Sequence, residues 1–108
     1  MLRELLRENL ESLMLTVEKI GYAFDLLSDK EVAKEDLLEV KRLVHSLKGN
    51  LMLIGLEDDA ALAIRLEELI FSHAELSSEG EVFLSKTTIN EWYKLLNKIE
   101  FSLKGYMF

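Results

Sequence analysis

The sequence predicts an all-α protein, an antiparallel up-down-up-down four-helix bundle. Three observations carry that prediction. The 108 residues contain no proline and only five glycines, so long helices run without interruption. Apolar residues recur at spacings of three and four in four separate segments, the signature of one buried stripe per helix. The connections between these segments are short, which makes consecutive helices antiparallel neighbours. A chain of this length is expected to form one domain over residues 1–108, with a single core.

The first stripe is Leu6, Leu10, Leu13, Val17, Ile20, Phe24 and Leu27. This helix should end near Ser28, and Ser28-Asp29-Lys30-Glu31 has the form of a capping box opening the next turn. Gly21 weakens the helix modestly and fits close packing against a neighbour. At 1.5 Å per residue it spans about 40 Å against roughly 30 Å for the second helix, so it should overhang the bundle or bend. The second helix should run from about Lys34 to Ile54, burying Leu37, Val40, Val44, Leu47, Leu51 and Ile54. Gly55 then supplies a left-handed cap.

Glu57-Asp58-Asp59 suit the N-terminus of a third helix, which should run to about Leu76 and bury Leu62, Leu66, Leu69 and Ile70. Ser77-Ser78-Glu79-Gly80-Glu81 breaks the pattern. Val82-Phe83-Leu84 is ambiguous in type and is expected to tack the connection onto the core. The fourth helix should begin near Thr88, where Thr88 and Glu91 have capping-box spacing, with Ile89, Trp92, Leu96, Ile99, Leu103 and Tyr106 as its stripe. Its apolar end, from Phe101 to Phe108, reads as the last turn or as a self-association surface.

Composition excludes several classes of function. Without cysteine there is no disulfide framework, no thiol chemistry and no zinc ribbon. A net charge of −7 disfavours nucleic acid, whose phosphates need clustered Lys and Arg. Runs such as Leu51-Met52-Leu53-Ile54 are far too short for membrane insertion, and the N-terminus lacks signal-peptide shape. A cytoplasmic location is the expectation. The two histidines, His45 and His73, are far apart and lack ligand spacing, so no metal site is expected. His73 near the end of a helix reads as structural.

The chemistry concentrates around His45. It lies one position off the buried stripe, with Lys41, Arg42, Lys48 and Gly49 as its helical neighbours three and four residues away. Lys48 sets a point charge on a flexible stem one turn from the imidazole. Gly49 costs about 0.5–1 kcal/mol relative to Ala inside a helix, and its position suggests that it keeps the next turn from crowding the ring. On the third helix Glu67 shares a face with the small residues Ala60 and Ala63, which let two helices approach closely. If that face meets the second helix, Glu67 can accept a hydrogen bond from one ring nitrogen and leave the other as a nucleophile. Leu38 and Met52 could frame His45 with apolar surface for a partner, beside Lys41 and Arg42 as further docking residues.

The run His45-Ser46-Leu47-Lys48-Gly49, with Gly55 ten residues after the histidine, resembles the phosphorylation-site motif of histidine-containing phosphotransfer domains. Arg65-Leu66-Glu67-Glu68-Leu69 is similar to the segment that follows this motif in the N-terminal phosphotransfer domain of chemotaxis histidine kinases. The resemblance is close from about Leu37 to Ile70 and architectural elsewhere. It implies that Nε2 of His45 carries the phosphoryl group and that Nδ1 faces Glu67. Leu51 and Met52 stand where the family usually has small residues.

The function so implied is that of a phosphorelay intermediate. It would take a phosphoryl group from a histidine kinase or a hybrid-kinase receiver and pass it to an aspartate of a response-regulator receiver domain. The chain has no P-loop and no glycine-rich lid, so no cofactor of its own is expected and magnesium should come from the partner. Two other readings fit the same residues: the N-terminal domain of a larger chemotaxis-type kinase, and a helical adaptor that binds without being phosphorylated.

Overall fold

A computed structural model describes residues 2–75 and 80–107, apart from the side chains of Leu2, Arg3 and Leu5. Leu76, Ser77, Ser78, Glu79 and Phe108, on which expectations about a helix end, a break and an apolar tail rest, lie outside the described residues. Four helices form, α1 (Leu2–Leu27), α2 (Lys34–Leu53), α3 (Glu57–Glu75) and α4 (Lys86–Met107). Each packs against its two neighbours in a closed ring, with α1 beside α2 and α4, and α3 beside both from the other side. This is the expected bundle, elongated to 50 × 20 × 18 Å.

The stripes deliver the core. Leu10, Leu13, Val17, Ile20 and Phe24 from α1 meet Leu37, Val40, Val44, Leu47 and Leu51 from α2, Leu66 and Ile70 from α3, and Trp92, Leu96 and Ile99 from α4. The stripe ends are exceptions. Leu6 is 43 % exposed and Tyr106 56 % exposed, and they line one groove together at the overhanging ends of α1 and α4. The end of α2 lies beside Asn9 and Leu13, short of Leu6, and Tyr106 borders an open pocket with the first turn of α3. Ile54, Leu62 and Leu69 are only half-buried. On α3 the most buried positions also include Ala60, Ala63 and Ala74, with Asp59 accepting a hydrogen bond from Ser102 Oγ at 2.8 Å.

The turn between α2 and α3 forms as predicted. Gly55 sits at φ +82°, Leu56 N–H donates to Leu51 O at 2.9 Å and Gly55 N–H to Met52 O at 3.1 Å. That pair of bonds is the Schellman arrangement, which needs a left-handed residue where Gly55 stands.

Two expectations about helix starts are corrected. Ser28–Glu31 is not a capping box: the chain turns at Asp29 (φ 60°) and enters a strand, β1 (Lys30–Ala33), paired antiparallel with β2 (Glu81–Leu84). Val32 opposes Val82, and Val32, Val82 and Leu84 turn into the core. Burial of these side chains at one end of the bundle outweighs the local capping pattern. Val82–Leu84 does tack its connection onto the core, as a strand. At the start of α4, Ser85 Oγ accepts the Thr88 N–H at 3.1 Å. The N-cap is therefore Ser85, and Thr88 lies within the first turn.

Candidate functional site

α2 and α3 pack more extensively than any other pair of helices, and the small residues Ala60 and Ala63, which share a helical face with Glu67, are buried. That packing carries Glu67 across to α2. Its Oε2 lies 2.6 Å from His45 Nδ1 and its Oε1 lies 3.5 Å from Lys48 Nζ. One carboxylate thus holds two α2 side chains one turn apart.

The three groups differ in exposure. The Glu67 side chain is 16 % exposed and Lys48 20 %, whereas His45 is 66 % exposed. A carboxylate accepts, so Nδ1 carries the hydrogen and Nε2 of the neutral ring keeps its lone pair. Nε2 makes no hydrogen bond among the described residues. The arrangement is an oriented imidazole with an open nucleophilic nitrogen and an anion behind it to balance charge that develops on the ring.

Gly49 lies one turn after His45 on α2. A Cβ built there would meet nothing within 4 Å, so it would not crowd His45 in this structure. The position opens onto free space. Leu51 points into the core and Met52 outward at 57 % exposure, so of the two departures from the family pattern only Met52 touches the accessible surface.

The other expected site residues make contacts of their own. Lys41 Nζ stands 4.7 Å over the ring of Phe71, and Arg42 pairs with Glu39 at 3.0 Å. Lys41 and Arg42 line a shallow depression with His45 and Ser46. Leu38 is half-buried against the core rather than exposed. The apolar surface around His45 comes instead from Met52 and from two α3 residues that the sequence reading passed over, Ile64 and Phe71, both exposed. The signal for them was present: they stand three before and four after Glu67, on its face of the helix.

The chain matches the family model of the Hpt domain over residues 1–100. It belongs to the Hpt family. No curated protein and no solved structure gives a significant match. As an Hpt domain, a histidine-containing phosphotransfer module, the chain takes part in phosphotransfer within a two-component phosphorelay, where its partners are kinases and receivers. Hpt domains are phosphocarriers without catalytic activity of their own. Among the described residues of this Hpt domain no cluster of side chains could hold a metal ion, and no helix is long and apolar enough to cross a membrane.

Proposed function

We propose that this Hpt domain is a phosphorelay intermediate in which Nε2 of His45 accepts a phosphoryl group and passes it to an aspartate of a response-regulator receiver. One observation carries the reading: Glu67 engages Nδ1 at 2.6 Å while the exposed Nε2 is unengaged. The donor is a histidine kinase or the phospho-aspartate of a hybrid-kinase receiver. In transfer from a receiver, the Nε2 lone pair attacks phosphorus. An N–P bond forms as the P–O bond to the aspartyl oxygen breaks, and the aspartate leaves as a carboxylate. The hydrogen stays on Nδ1, so the ring becomes cationic and Glu67 stabilises it.

Lys48 is held to Glu67 by a contact of 3.5 Å, long enough for its flexible stem to follow the phosphoryl oxygens. Magnesium and the acidic pocket come from the receiver or kinase, because transfer of this kind rests on positioning and charge neutralisation. Met52, Ile64 and Phe71 supply apolar contact around His45, with Lys41 and Arg42 at its edge. Such partners set the cytoplasm as the place of action.

Incubation with a phosphorylated receiver should label the chain with an acid-labile, base-stable phosphoryl group. His45→Gln should abolish that label. Equal labelling of the variant would sink the assignment, and binding of the receiver without any label would favour the adaptor reading.

A further inference from the structure

The side of the bundle away from His45, formed by α1 and α4, carries a second set of ordered surface features. On α1 the exposed residues Glu8, Glu11, Leu15, Glu18 and Tyr22 recur at spacings of three and four. They form a stripe opposite the core stripe, acidic with large apolar members. On α4 the exposed stripe is Glu91, Lys94, Lys98, Phe101 and Lys104, basic from Lys94 onward in a chain whose net charge is −7. Phe101 is 82 % exposed. Glu18, Lys94 and Lys98 make no ion pair among the described residues. Gly105, next along α4, is a helical glycine whose added Cβ would meet nothing within 4 Å, so no packing within the chain calls for it.

We propose that this face binds a second copy of the same chain, forming a twofold dimer that leaves both His45 sites open. The argument is self-complementarity. Gly21 packs against Tyr93 and Leu96, and Arg7 shares a groove with Met107. This antiparallel register sets Glu11, Leu15 and Glu18 within about one helical turn of the heights of Lys104, Phe101 and Lys98. A twofold axis parallel to the helices lays α1 of one copy along α4 of the other and preserves those heights. Glu18 then faces Lys98 and Leu15 covers Phe101, each contact made twice, while Glu11, paired with Arg7 at 3.5 Å, lies across from Lys104, paired with Glu100 at 3.0 Å. Gly105 lets the two backbones approach at the overhanging end.

The size of the face sets the expected strength. About 30 Å of shared helix across a 20 Å bundle width covers roughly 600 Å² per copy, at the low edge of stable interfaces. A reversible, concentration-dependent dimer follows, driven by the apolar pair and aligned by the charges.

Sedimentation of the 108-residue chain over a concentration series up to about 1 mM tests this. The expected result is a monomer–dimer equilibrium that Phe101→Glu abolishes. Glu18→Lys and Lys98→Glu should each weaken it about tenfold, and the two together should restore it, since the charges are exchanged across the axis. Phe71→Glu, on the His45 side, should leave it unchanged. A monomer at every concentration overturns the proposal, as does a dimer indifferent to Phe101→Glu, failure of the double reversal to restore binding, or loss of the dimer in Phe71→Glu. All four residues are exposed, and circular dichroism confirms the fold of each variant. Because the readout is mass, the result is independent of phosphotransfer.

Discussion

Two of the carboxylates that clasp neighbouring helices in this bundle do so at the same distance. Glu67 holds His45 Nδ1 at 2.6 Å between α3 and α2, and Asp25 holds the Tyr93 hydroxyl at 2.6 Å between α1 and α4. The outcomes differ because of what remains of the held group. Tyr93 has one hydrogen, shared between Asp25 and the Gly21 carbonyl 2.5 Å away, and its ring packs edge-on against Phe24. Burial, and then the hydrogen bond and negative charge of Asp25, push its pKa up to about 12, so the hydroxyl stays neutral and inert. The imidazole has a second nitrogen, and its exposure leaves that atom open. A short bond to a carboxylate therefore makes a fastener in one place and an oriented nucleophile in the other.

The comparison is broken most sharply from the Glu67 side. Glu67→Ala should slow labelling of His45 by about 10²-fold, the lower range for a group that directs proton placement, while the bundle stays folded. Unchanged labelling in a phosphotransfer time course would remove Glu67 from the mechanism. Tyr93→Phe should do the reverse, costing about 1 kcal/mol of stability in urea unfolding with no change in labelling rate.

Tyr93 also has a pH signature. Its folded pKa lies above the ordinary value of 10, so the protonated form is favoured in the folded state. The stability this contributes is fully present below pH 10 and is lost as pH rises toward about 12. Wild type should lose more stability than Tyr93→Phe across that window, and parallel curves would contradict the clasp.

Smaller effects sharpen the contrast at the site itself. Gly49→Ala should stabilise α2 by about 0.5–1 kcal/mol, because the new methyl meets nothing within the chain, yet slow transfer by filling space that a partner needs. Stabilisation with undiminished transfer would show that the gap has no role. Lys41→Ala should cost the least, about 0.5 kcal/mol for a cation lying on the exposed Phe71 ring, readable by thermal unfolding.

Much of the molecule was legible in the order of its residues. Leu37, Val40, Val44, Leu47 and Leu51 repeat at helical spacing and all five are buried, because a stripe that sustained has one way to leave water. Gly55 was legible for a similar reason: a left-handed position at a helix end favours glycine. The β1–β2 ribbon was not. Four residues give no clear period, and what holds Val32 opposite Val82 is a pairing across about fifty positions of sequence. The exposure of Leu6 and Tyr106 was hidden as well, since a stripe records which face is apolar and not whether a neighbour reaches far enough to cover it.

The sequence by itself determined the helices, their buried faces and the His45–Gly49 motif, because each rests on contacts within a few turns of one chain segment. Only the tertiary structure decided how that motif is set. The packing of α3 on α2 lets Glu67 reach Nδ1 and turns Ile64 and Phe71, rather than Leu38, to the surface beside it. Which face of one helix meets another is a property of the assembled core, where four stripes compete for the same interior.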